Sequence, residues 1–179
     1  MSMDPTSHPA SSAHHSPGSV TTVWTARHGV RDWVVTTDRS SQVTTSARIL
    51  AGPGFCTFGG QYDATDPGSF AVVRASPWMC DARGVTGIRL DARGDSSPYD
   101  VILFAAATPV HWSASFVATP AQREPVIIPL SMFEAQLRGR TPADPPALRP
   151  ERLVAWGIRA RTQGTGRFCI ELSSFSLLR

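Results

Sequence analysis

The stretch GIRLDARGDSSPYDVILF, Gly87 to Phe104, alternates strictly, breaks at a turn and resumes as strand. Ile88, Leu90 and Ala92 fall on one face, and Arg89, Asp91 and Arg93 on the other, the period-two pattern of a half-buried strand. Gly94-Asp95-Ser96-Ser97-Pro98 then turns the chain, because Gly, Asp, Ser and Pro each favour turn conformations. Val101, Ile102, Leu103 and Phe104 follow without alternation, which predicts a strand covered on both faces. Together these features predict a hairpin inside a layered β structure.

Outward from it, strand-like segments succeed one another with turn signals between them and hardly any helical periodicity. About ten strands are expected, over 20–25, 33–37, 44–50, 54–61, 69–75, 85–93, 99–105, 111–117, 125–130, 153–161 and 167–178, with one or two merging. Short strands at this spacing indicate an all-β sandwich or barrel. One short helical turn is expected from Ser131, where Ser131-Met132-Phe133-Glu134 has the form of a capping box. Gly139, Pro142, Pro145 and Pro146 stop it and lead through an extended loop towards Leu153.

A chain of 179 residues with 41% hydrophobic content has material for one domain, and that length needs neither disulfide nor metal to fold. Met1 to Ser19 is rich in Ser, Pro and His and poor in bulky apolar residues, so residues 1–19 are expected to form a disordered tail ahead of a single domain over 20–179. His8, His14 and His15 fall in that tail. It has no arginine and no apolar core of its own, which argues against a transit peptide or a secretory signal. Cys56, Cys80 and Cys169 are odd in number and never spaced as CxxC, so they read as reduced packing residues of a cytoplasmic protein.

All 17 basic residues are arginine, and the formal net charge is +3. The arginines alternate with acids, as in Arg89-Leu90-Asp91 and Arg149-Pro150-Glu151-Arg152, so there is no basic stripe to track nucleic-acid phosphates. No stretch is long and apolar enough to span a membrane.

The sequence order from Gly54 onward resembles the family of the mitochondrial complex I intermediate-associated protein 30. CTFGGQ (56–61) followed by GSFAVVRA (68–75) resembles that family's strand, glycine-rich turn and strand ending in arginine. GIRLDARGD with Tyr99 resembles its central hairpin. HWSASF (111–116), VIIPLSMF (126–133), LRGR (137–140), RPERLVAWGI (149–158) and GRFCIELSSFSL (166–177) continue the order. The resemblance runs from about Trp33 to Leu178 and implies a jelly-roll β-sandwich, galactose-binding-domain-like, that serves as a binding or assembly factor. In one place the chain departs from the family. Members usually carry Asp followed by Met-Gly-Gly-x-Ser near the first strands, where this chain has Asp38-Arg39-Ser40-Ser41 without the glycines.

No nucleophile motif accompanies the histidines of the folded region, His28 and His111. Ser113 and Ser115 share a strand face with His111, opposite Trp112, Ala114 and Phe116. The cysteines sit on separate strand-like segments, so no zinc ligand set is assigned. Asp63 and Asp66 could offer oxygens to calcium, but Asx-turn chemistry explains them equally well. No metal and no cofactor is assigned. Arg93-Gly94-Asp95 is the end of a strand and its turn, and Gln163-Gly164-Thr165-Gly166 joins two strands with no helix to receive a phosphate.

The pattern with most functional content is the polar side chains on the non-core faces of several strands. Arg74, Arg89, Ser113, Ser115 and Arg159, with Trp112 and Trp156, would suit a protein partner or a small polar ligand. The alternative is a wet sheet face held by cross-strand pairs. The leading expectation is a non-catalytic binding or assembly-factor domain. One alternative is a cofactor-independent cyclase or isomerase, in which His111 or Glu171 moves a proton. Another is a carbohydrate-binding module, which would display exposed coplanar tryptophans.

Overall fold

The structure, a computed structural model, describes residues 18–37, 45–62, 70–75, 80–121, 125–161 and 166–179. The N-terminal histidines, Asp38 to Ser41, Asp63, Asp66, Trp78 and Gln163 to Thr165 lie outside those residues. The described chain forms twelve strands: β1 (Val20–Thr25), β2 (Val34–Thr37), β3 (Ser46–Gly52), β4 (Phe55–Gln61), β5 (Phe70–Arg74), β6 (Gly87–Gly94), β7 (Pro98–Ala105), β8 (His111–Val117), β9 (Val126–Pro129), β10 (Glu134–Gln136), β11 (Leu153–Arg161) and β12 (Arg167–Leu178).

They form two antiparallel six-stranded sheets. The first runs β3-β4-β12-β6-β9, and β12 is long enough to serve two partners along one edge. Its first half pairs with β4, and after an irregularity between Leu172 and Ser174 its second half pairs with β1. The second sheet runs β10-β8-β7-β11-β5-β2. This is the all-β jelly-roll sandwich that the alternating pattern and the family resemblance imply. Among the described residues no helix is long and apolar enough to cross a membrane.

The core lies between the sheets. Phe58, Ile88, Leu90, Ile170, Leu172, Phe175 and Leu177 of the first sheet meet Val73, Tyr99, Val101, Leu103, Trp156 and Ile158 of the second, all buried. Trp156 stacks on Phe175 at 4.1 Å between ring centroids, and Trp33 meets Trp156 edge-on at 5.2 Å. Trp24 closes this cluster and donates its indole N–H to the carbonyl of Gly29. Buried aromatic rings each remove a large apolar area from water, and the indole N–H still needs a partner.

The expected hairpin is not one. β6 pairs with β12 and β9 in the first sheet, whereas β7 pairs with β8 and β11 in the second. Residues 95–97 therefore carry the chain around a corner from one sheet to the other. Asp95 builds that corner. Its Oδ1 accepts from the amide of Ser97 at 3.0 Å and from the Tyr99 hydroxyl at 2.9 Å, and its Oδ2 accepts from the amide of Cys169 at 2.8 Å. Ser96 adopts φ 67° and donates its amide to the carbonyl of Ala118. Gly94 is needed where this backbone passes, since a Cβ there would stand 2.8 Å from the Ala118 carbonyl oxygen. A local turn signal cannot tell whether the next strand returns to the same sheet or crosses to the facing one.

The expected helical turn at Ser131 is also corrected. The chain forms a 3-10 turn over Leu130–Met132 with no side-chain cap, and then pairs β10 with the free edge of β8. Phe133 turns into the core at 8% exposure, and that burial favours extended backbone over further helix.

Burial raises the Asp95 carboxyl, but the Ser97 and Cys169 amides and the Tyr99 hydroxyl outweigh it, and its pKa lies below the ordinary value. A folded-state pKa below the unfolded one contributes stability that is present above about pH 4 and is lost as pH falls through the folded value. Replacing Asp95 by Ala should lower the unfolding free energy at pH 7 by about 1–2 kcal/mol, the lower range because one side of the carboxylate faces water. Urea titrations between pH 2 and 7 check this, and Asp95→Asn should show a shallower acid loss than the parent.

Candidate functional site

The side chains on the outer face of the second sheet are fixed by its registers. Asp100 of β7 lies opposite Ser115 of β8 and Arg159 of β11. Two residues along, Ile102 lies between Ser113 and Gly157, and Gly157 faces Arg74 of β5. Two further along, Phe104 lies between His111 and Ala155. β10 extends these rows with Glu134 beside Ser113 and Gln136 beside His111.

Asp100 organises the first row. It is 1% exposed, so its charge has lost water and needs compensating donors. Ser115 donates its hydroxyl to Oδ1 at 2.7 Å, and Arg159 donates Nε to Oδ2 at 2.8 Å. Arg161 reaches the same carboxylate at 3.5 Å and donates Nη1 to the Ser115 oxygen at 3.1 Å. The outcome is a fixed Ser-Asp-Arg row with a second arginine at its end.

The third row is aromatic. The Arg74 guanidinium carbon stands 4.4 Å above the Phe104 ring centroid, a cation-π contact. Arg74 can reach it because Gly157, which lies between them, carries no side chain. A Cβ at Gly157 would lie 2.5 Å from the Val73 carbonyl oxygen. His111 stands on the other side of Phe104, with 6.0 Å between ring centroids. Its Nε2 is buried without a hydrogen-bond partner. Burial first, and then the charge of Arg159, hold its pKa below the ordinary histidine value, although Asp100 opposes them. Ile102 and Ala155 are buried on this outer face, outside the inter-sheet core, and make an apolar floor between the rows.

Of the residues singled out in the sequence, this face brings together Arg74, His111, Ser113, Ser115 and Arg159. It does not include the others. Trp112 and Trp156 point into the core at 5% and 1% exposure, on the opposite strand face from Ser113 and Arg159, because successive side chains alternate. Arg89 lies on the outer face of the first sheet beside Asp91, and Glu171 lies there in an ion pair with Arg93. His111 and Glu171, the two alternative proton carriers, thus stand on opposite faces of the sandwich. Cys56 is a buried packing residue, whereas Cys169 is exposed rather than packed.

Sequence reading overlooked Asp100, Phe104, Arg161, Glu134 and Gln136. Phe104 sits in a run that reads as uniformly apolar and Asp100 directly precedes it, and Glu134 and Gln136 fall where a helix was expected. The spacing Arg159-x-Arg161, with both residues on one strand face, was the available signal. A shallow depression of about 530 Å3 lies elsewhere, on the first sheet over Gly59 between Arg48 and Arg167. It is an open groove left by glycine, and the convergent charged groups are on the second sheet.

Asp100→Asn should cost about 2–3 kcal/mol in stability, since it strands Arg159 beside a neutral amide but leaves that arginine partly hydrated. Denaturant unfolding measures it. Gly157→Ala should be comparably damaging, because the added methyl must push β5 away from β11.

The fold is shared with carbohydrate-binding modules. The family 11 carbohydrate-binding module of a cellulosomal cellulase of Clostridium thermocellum is similar over 90% of this chain and 95% of its own, with a TM-score of 0.63 at 14% identity. The family 11 module from Clostridium thermocellum in complex with a β-1,3-1,4-mixed-linked tetrasaccharide is similar over 90% and 96%, with a TM-score of 0.60 at 15% identity. An agarase is similar over 89% of this chain and 24% of its own, with a TM-score of 0.56 at 9% identity. No curated protein matches the chain in sequence. Complex I intermediate-associated protein 30 (CIA30) describes the family that matches residues 23–172, nearly all of the two sheets, and this chain belongs to that family.

Proposed function

We propose that this chain is a non-catalytic binding domain that holds a polar, hydroxyl-bearing ligand on the outer face of its second sheet. The observation that carries this reading is the Ser115-Asp100-Arg159 row with Arg161, in which one buried carboxylate fixes several donors beside an apolar floor. A saccharide has matching chemistry. Its C–H face can lie on the partly exposed Phe104 while its hydroxyls meet guanidinium and hydroxyl groups at the edge. Preset donors also reduce the ordering cost of binding. The sandwich it shares with a module in complex with a tetrasaccharide supports the same reading. Its stacking surface would differ from the tryptophan platform expected earlier. Among the described residues Trp24, Trp112 and Trp156 are buried, so Phe104 takes that part.

The second reading is a protein partner, as the family description suggests. Val34, Phe70 and Val117 are exposed at the margins of the same sheet and would give a protein interface its apolar contacts. Cys56, Cys80 and Cys169 are free thiols, which fits a reducing, cytoplasmic setting.

Thermal shift of the full chain against a panel of oligosaccharides tests the first reading. A ligand at a hundred times its Kd stabilises the native state by about 2.7 kcal/mol, so a saturable rise in melting temperature is expected. Arg161→Ala, at a half-exposed side chain, should weaken that rise, and so should Ser115→Ala. No shift with any saccharide, together with recovery of a protein partner that Arg161→Ala abolishes, would establish the second reading. Undiminished binding by both variants would exclude this face.

A further inference from the structure

The charge a ligand would meet on this face is one-sided. Arg74, Arg159 and Arg161 come from the adjacent strands β5 and β11. Of the two carboxylates that the described strands place on this face, Asp100 is buried and its oxygens are already engaged by Ser115, Arg159 and Arg161. The other, Glu134, stands four strands from Arg74, about 19 Å away at the usual spacing between strands, and on the His111 side of the ring. Among the described residues, β5, β7 and β11 therefore offer a ligand over Phe104 guanidinium groups and no free carboxylate.

Two groups around Phe104 lack counterparts. Arg74 has no carboxylate partner among the described residues and rests on the ring face. His111, on the other side of the ring, keeps its buried Nε2 without a hydrogen bond. A buried polar atom without a partner costs about 1–3 kcal/mol, and a ligand oxygen that reaches it once the side chains around Phe104 shift aside recovers that cost. One anionic group can answer both needs, accepting from the guanidinium on one side and from the imidazole on the other.

We infer that the ligand is an anionic saccharide, with its carboxylate or sulfate group seated over Phe104 between Arg74 and His111. Its hydroxyls extend along the sheet towards Arg159 and Arg161. This inference rests on the saccharide reading proposed above and adds the charge of the ligand and the residues that select it.

The pH dependence should carry the same signature. The groups facing His111 are Asp100 and Phe104 of β7, Glu134 and Gln136 of β10, Arg159 of β11 and, across Gly157, Arg74 of β5. In the free protein the imidazole is neutral near pH 7, held so by burial and by Arg159. An anion beside it favours the protonated form, so binding takes up a proton and tightens as pH falls.

Titration calorimetry with the full chain would compare three oligosaccharides of equal length: neutral, uronate-bearing and sulfated. Preferential binding of either anionic form, by about tenfold over the neutral one, is the expected result, as one charge-assisted contact is worth about a factor of ten or more. Which of the two binds tighter identifies the acid. Arg74→Gln should collapse the preference for the anionic form, His111→Gln should flatten its pH dependence, and Arg89→Ala on the opposite face should change nothing. A neutral oligosaccharide that binds as well as both anionic forms, sensitive to Arg161→Ala, would overturn the anionic inference and leave the saccharide reading standing. Binding of none of the three would remove both. Circular dichroism of each variant confirms that it is folded.

Discussion

The corner at Asp95 is the interaction on which the other features of this molecule depend. A sandwich needs the chain to leave one sheet and enter the other without breaking the backbone hydrogen bonds at the junction. Here a single carboxylate does this, accepting from the Ser97 amide, the Tyr99 hydroxyl and the Cys169 amide. Tyr99 is fully buried, and burial together with the Asp95 charge pushes its pKa far upward, which keeps the hydroxyl neutral. The corner thus ties β6, β7 and β12 together at one point, across both sheets.

Its second consequence is register. Fixing Tyr99 inward fixes Asp100 outward, and with a period of two this places Ile102 and Phe104 on the same outer face. Asp100 then meets Ser115 and Arg159 as direct neighbours across β8 and β11. The structural corner and the polar row are adjacent in sequence and mechanically linked. A slip of one residue in β7 would bury Phe104 and expose Tyr99, destroying both at once.

The outer face of the second sheet illustrates how a stable fold can hold a costly arrangement. Asp100 gives up water for arginine, Gly157 gives up a side chain so that Arg74 can cross to Phe104, and His111 keeps an unanswered buried nitrogen. Each is unfavourable or neutral for folding taken singly, and all three converge on one face. The outer face of the first sheet differs, because its charges form surface pairs such as Arg93 with Glu171 and Arg89 with Asp91, which contribute little and select nothing.

The strands themselves were legible in the sequence. Val20–Thr25, His111–Val117, Leu153–Arg161 and Arg167–Leu178 are found where alternation placed them, because the side-chain period of a strand is a local property. The order of segments also carried the family and with it the jelly-roll class. What local pattern could not carry was pairing. The turn at residues 95–97 has the same residues whether β7 returns beside β6 or crosses to the facing sheet, and Ser131 offers a cap whether or not a helix follows. The burial of Phe133 and the open edge of β8 decided the latter. Trp112 and Trp156 show the same limit, since alternation separates a strand's two faces but only the opposing sheet says which is inside. The sequence by itself therefore determined which residues form strands and which share a face. Only the tertiary structure decided which faces meet, and it brought Asp100 to Arg159 across 59 residues of chain, a contact that exists only once both sheets are in register.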